Sequence, residues 1–81
     1  MESQIIDNFD VVTKKIESLY FAGYMTTNII EQKYAYMQLL GYASCLHDLG
    51  LITQYEFAYK HIVELDGFYL AEGRPVAQDI L

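Results

Sequence analysis

Leu46-His47-Asp48-Leu49-Gly50-Leu51-Ile52-Thr53-Gln54-Tyr55-Glu56-Phe57 is the stretch on which the reading of this chain turns. It stops one helix and starts the next. Gly50, at C′, is expected to take the left-handed conformation that ends a helix, with Leu51 at C″ packing back on Leu46 at C3. Thr53 then reads as an N-cap, and Glu56 three residues on completes a capping box. Ile52 before that cap and Phe57 after it supply a hydrophobic staple. A link this short joins antiparallel neighbours, so a helical hairpin is the centre of the fold.

The helix before the link is predicted over 28–49, capped by Thr26 or Thr27, with a Met25–Ile30 staple available to Thr26. Ile29, Tyr36, Leu40 and Ala43 centre one face, flanked by Leu39, Leu46, Met37 and Ile30. Tyr34, Tyr42 and Cys45 fill much of the opposite side, where only Glu31 and Gln38 are polar. A helix apolar nearly all round is normally covered on more than one side, which makes this one the centrepiece.

Further toward the N-terminus, Ile5, Phe9, Val12, Ile16 and Leu19 alternate spacings of four and three and predict an amphipathic helix over 4–22. Ser3 is its expected N-cap and Gly23 its expected C′, with Tyr24 folding back on Leu19. Asp10 and Lys14 stand at i,i+4, a pairing worth roughly 0.2–0.5 kcal/mol.

On the other side of the link, Tyr55, Ala58, Ile62 and Leu65 mark the inner face of a helix beginning at about 54. Two terminators compete. Asp66-Gly67 would end it at 66, whereas Tyr69 continues the stripe toward Gly73 and Pro75 and would carry it to 71. Residues 73–81 then form a short tail docked through Val76, Ile80 and Leu81. The expected fold is all-α: one domain over 1–81, a three-helix bundle built on the hairpin.

Composition narrows the function classes. Hydrophobic residues make up 53% of the 81, so a core is affordable despite a net charge of −6. Lys33 and Glu31 interrupt the best apolar run, well short of the ~18 residues of a membrane span. Glu2 and Asp7 do not suit a secretory signal, and the single Cys45 forms no internal disulfide, so a cytoplasmic location is expected. Five basic residues against eleven acidic ones argue against direct nucleic-acid binding, which rests on Lys and Arg neutralising phosphates.

Gly50 to Phe57 resembles the second half of an EF-hand loop, but the leading ligand positions would fall on Cys45, His47 and Leu49, which lack carboxylates. A DNA-binding helix-turn-helix would need a basic second helix, and Tyr55-Glu56-Phe57-Ala58-Tyr59-Lys60-His61 carries one Lys and starts acidic. Cys45 and His47 lie about 200° apart on a helix and cannot meet as nucleophile and base. His61 and Glu64 share a face, yet a zinc site needs three or four such groups. No metal, no cofactor and no enzymatic activity are expected. Cys45 itself is expected to be a small buried hydrophobe.

Eight tyrosines are the feature above background. Tyrosine offers large apolar area with a polar tip and is enriched at protein interfaces. Core filling accounts for about half of them; Tyr34 and Tyr42 are the hardest to hide in three helices. The expectation is a homodimer through the second helix and a regulator or inhibitor that binds a protein partner, a class that phages and other mobile elements often encode. Tyr34, Tyr42 and Tyr59 would anchor contact, while Glu56 and Glu64 would meet a basic partner. The alternative is an acidic inhibitor of the anti-CRISPR or anti-restriction type, which mimics nucleic acid in a nuclease. The acids are spread evenly, with six in residues 1–53 and five in 54–81, which weakens it.

Overall fold

The structure is a computed structural model that describes the backbone of residues 2–80 and the side chains of residues 9–78. Four helices follow one another: α1 (Glu2–Met25), α2 (Ile29–Asp48), α3 (Ile52–Ala71) and a short α4 (Val76–Ile80). No strand occurs among the described residues. The first three pack against one another as an all-α three-helix bundle, and α4 docks on α2 and α3. No described helix is long and apolar enough to cross a membrane.

The α2–α3 link holds one expectation and overturns another. Gly50 has φ +75°, its N–H donates to the His47 carbonyl, and the Leu51 N–H donates to the Leu46 carbonyl, both at 3.0 Å. That is the paired pattern of a Schellman motif, with Gly50 at C′ as its position requires. Leu51, however, passes straight into α3 as its N-cap, and no side chain caps this end. Thr53 therefore lies inside the first turn, and the Thr53–Glu56 capping box and Ile52–Phe57 staple are not made. The reason is the shared residue: C″ of one helix serves as N-cap of the next, leaving no spacer for a separate cap.

The α1–α2 connection departs further. Gly23 does not end α1, which runs on to Met25. It lies buried, where Tyr69 Oη donates to its carbonyl at 2.9 Å. A Cβ at Gly23 would stand 2.5 Å from that hydroxyl and 3.0 Å from Leu65 Cδ2, so glycine is required here by close approach. Neither Thr26 nor Thr27 is the N-cap of α2. Asn28 is, with Oδ1 accepting from the backbone N–H groups of Ile30 (2.9 Å) and Glu31 (3.2 Å). Thr26 braces the turn by accepting from the Asn28 N–H and donating to Glu31 Oε2. Met25 and Ile30 are both well exposed and form no staple. The Ser3 cap and the Ile5 contact lie outside the described side chains.

Of the two ends open to α3, Gly73 wins. It has φ +74°, donates to the Leu70 carbonyl at 3.0 Å, and Arg74 N–H donates to the Tyr69 carbonyl at 2.7 Å. The helix continues through Gly67 because Tyr69, fully buried, belongs to its inner stripe. Beyond Gly73 the expected tail is helical: Val76 and Ala77 are buried, and Arg74 reaches the Thr27 carbonyl at 2.8 Å. The expected contacts of Ile80 and Leu81 lie outside the described side chains.

Ile16, Leu19, Leu39, Ala43, Leu46, Ala58, Ile62, Leu65 and Tyr69 form the core with Tyr36 and Val76. On α2 the buried stripe is rotated from the expected one. Ala35, Leu39 and Gln32 face inward, while Ile29, Ile30 and Met37 are exposed. Gln32 tolerates burial because its Nε2 donates to the Thr26 carbonyl at 3.1 Å, although its Oε1 has no partner among the described residues. On α1, Phe9 of the expected inner face stays exposed, and Asp10 pairs with Lys14 at 3.1 Å.

Candidate partner-binding surfaces

Five tyrosines are absorbed by the bundle itself. Tyr36 and Tyr69 are buried with ring centroids 6.3 Å apart. Tyr20, Tyr42 and Tyr55 are half-buried against the core. Tyr20 sits in an aromatic seam between α1 and α3, edge-on to His61 at 5.2 Å and stacked on Tyr24 at 5.8 Å. Burial pushes the Tyr69 phenol up to about 12, with Tyr36 adding to the effect. Tyr20, Tyr36 and Tyr42 are raised as well, burial again being the first cause.

The five side chains expected to bind a partner are not brought together. Tyr34 is 65% exposed and lines a depression of about 440 Å³ along the α1–α2 groove. Tyr42 lies further along the same groove but is half-buried, so it flanks the core and does not oppose it as expected. Tyr59 is 54% exposed on the other side of the molecule, where it lines a hollow between α2 and α3 with His47 and Tyr55. Glu56 is exposed on the outward side of α3 near Tyr59. Glu64 is exposed as well but is turned roughly 140° from Tyr59 around the helix. There it faces the aromatic seam, close enough to help raise the Tyr20 phenol.

Among the described residues, exposed apolar side chains line up along both α3 and α2. Along α3, Ile52, Tyr59, Val63 and Leu70 recur at spacings of seven, four and seven, all at least half exposed. Along α2, Ile30, Tyr34 and Met37 are exposed with Gly41 and Cys45 continuing the line. Cys45 is thus a surface thiol, not the buried hydrophobe expected, because the core side of α2 is set by Leu39, Ala43 and Leu46.

Gly41 escaped notice in the sequence, although a glycine inside a helix carries its own signal: it weakens the helix and so wants a packing reason. Internally there is none, since a Cβ at Gly41 would meet nothing within 4 Å.

Among the described residues, the two histidines and Cys45 stand apart from one another. His47 stands edge-on to Tyr55 at 4.9 Å in the α2–α3 hollow, whereas Cys45 lines the α1–α2 groove. His61 packs against Phe57 at 4.5 Å, with Nδ1 2.9 Å from the Phe57 carbonyl oxygen. Among the described residues, no three His, Cys, Asp or Glu side chains are grouped to hold a metal ion. No protein-family model, no curated protein and no solved structure matches the chain.

Proposed function

We propose that this chain is a non-enzymatic helical protein that regulates or inhibits a protein partner by direct binding, and that it acts as a homodimer. The observation that carries the reading is the open apolar strip of α3: Ile52, Tyr59, Val63 and Leu70, with the Glu56 carboxylate beside it. Aromatic anchors ringed by polar side chains dominate binding energy at protein interfaces. A helix strip at this spacing suits an apolar face on a partner, and Glu56 favours one with a basic rim. The α2 strip, with Tyr34, is the homodimer face in this reading.

Mimicry of nucleic acid is the weaker alternative. It asks for a dense row of carboxylates on one side, and the acids of this chain are spread evenly along it, with Glu56 and Glu64 about 80° apart around α3. The test is capture of partners from host lysate with the wild-type chain and with Tyr59→Ala and Val63→Asp in parallel. A protein retained by wild type in moderate salt and lost with both variants supports the reading. Identical capture by all three removes the α3 strip from it, and capture abolished by moderate salt alone favours mimicry.

A further inference from the structure

The α2 strip is built to meet its own reverse. From Ile30 to Cys45 it spans roughly 22 Å of helix, and Ile30, Tyr34, Met37, Gln38, Gly41 and Cys45 include no charged side chain. Gln38 lines two depressions, one on each side of it along the α1–α2 groove. Their furnishings are opposite. Toward the N-terminal end of α2 stand a projecting ring, Tyr34, and a carboxylate, Glu31. Toward the other end stand bare backbone at Gly41 and an exposed ammonium on α1, Lys15.

A two-fold axis sets a patch against a reversed copy of itself. We infer that a second copy of this chain docks antiparallel on α2, with the axis passing between Met37 and Gln38. Tyr34 of one protomer then covers Gly41 of its partner, Ile30 meets Cys45, and Glu31 approaches Lys15. Each contact occurs twice. The inference rests on the homodimer reading above and supplies its face and register. It also gives Gly41 the packing reason it lacks within the chain: small residues let helix backbones approach closely.

The available area can be compared with what a specific interface needs. A face ~22 Å long and about two helix diameters (~20 Å) wide projects on the order of 450 Å² per copy. Doubled, that is about 900 Å², close to the ~1,000 Å² at which specific interfaces begin. A face of that size is at the small end for a specific interface, so the dimer is sought at high protein concentration.

The test is light scattering and sedimentation of the full chain up to several hundred micromolar, with Gly41→Leu, Tyr34→Ala and disulfide trapping beside it. The wild type is expected to approach twice its 9.4 kDa monomer mass. Gly41→Leu and Tyr34→Ala are expected to shift dissociation at least tenfold toward monomer, both with full helical circular dichroism. In a Cys45→Ser background, Gln38→Cys next to the axis is expected to cross-link under mild oxidation and Glu56→Cys on α3 is not. A monomer at the highest concentration overturns both this inference and the homodimer reading. A dimer that both variants leave intact and Gln38→Cys fails to trap keeps the homodimer reading and overturns this face.

Discussion

Gly23, in the last turn of α1, and Gly41, in the interior of α2, are both helical glycines, and their surroundings give them opposite signs. At Gly23 an added methyl would press on Tyr69 Oη and Leu65, both fixed in the core. Gly23→Ala is therefore expected to destabilise the chain by about 1–3 kcal/mol, the usual cost of overpacking, despite the better helix propensity of alanine. At Gly41 the methyl meets open space. Gly41→Ala is expected to stabilise the dilute chain by about 0.5–1 kcal/mol. Urea unfolding of both variants at low micromolar concentration checks the pair. Equal shifts in either direction would contradict the placement of these residues. Sequence pattern alone marked Gly23 as a helix stop and passed over Gly41, because a glycine's neighbours in space are not written beside it.

Helix ends show which local signals can be trusted in this chain. Both Schellman stops, at Gly50 and Gly73, follow from left-handed backbone that only glycine adopts cheaply. Their local origin made them legible, although Gly67 competed with Gly73 until the burial of Tyr69 decided it. N-caps were harder, since Ser, Thr, Asp and Asn all suit the position and Thr26, Thr27 and Asn28 stand in a row. Asn28→Ala is expected to cost about 1 kcal/mol, because two backbone N–H groups lose their acceptor. Thr53→Ala should fall within about ±0.5 kcal/mol, as an exposed residue that caps nothing. Thermal melts of the two variants separate the alternatives, and a large loss at Thr53 would restore the capping box.

Across the whole molecule, the buried phenols give stability an alkaline edge. Tyr69 titrates near 12 when folded against an ordinary 10, so the native state holds its proton longer than the unfolded chain. That contribution is complete below about pH 10 and is lost as pH rises toward 12, by up to roughly 3 kcal/mol at ~1.4 kcal/mol per unit. Tyr20, Tyr36 and Tyr42 shift in the same direction and steepen the fall. Tyr69→Phe is expected to lower stability at pH 7 by about 1–3 kcal/mol, since the buried Gly23 carbonyl loses its donor. The same variant should soften the decline between pH 10 and 12. Denaturant midpoints across pH 7–11.5 provide the measurement, and an unchanged alkaline slope would mean Tyr69 is not the group that titrates.

The three main helices, their order and the all-α class were decided by the sequence itself, through apolar spacing on α1 and α3 and glycine stops on α2 and α3, whereas the short α4 was expected only as a tail. These are properties of a few neighbouring residues, and they act before any helix meets another. The tertiary structure alone decided which side of α2 is core. A helix apolar nearly all round has no preferred face until α1 and α3 take their places, and they bury Gln32 and Ala35 while leaving Ile30, Tyr34 and Met37 outside. It also dispersed the expected contact residues over separate sides, keeping Glu56 and Tyr59 together but parting them from Tyr34, Tyr42 and Glu64. Which residues share a surface depends on helix rotation and neighbour position, and neither is encoded in the residues one at a time.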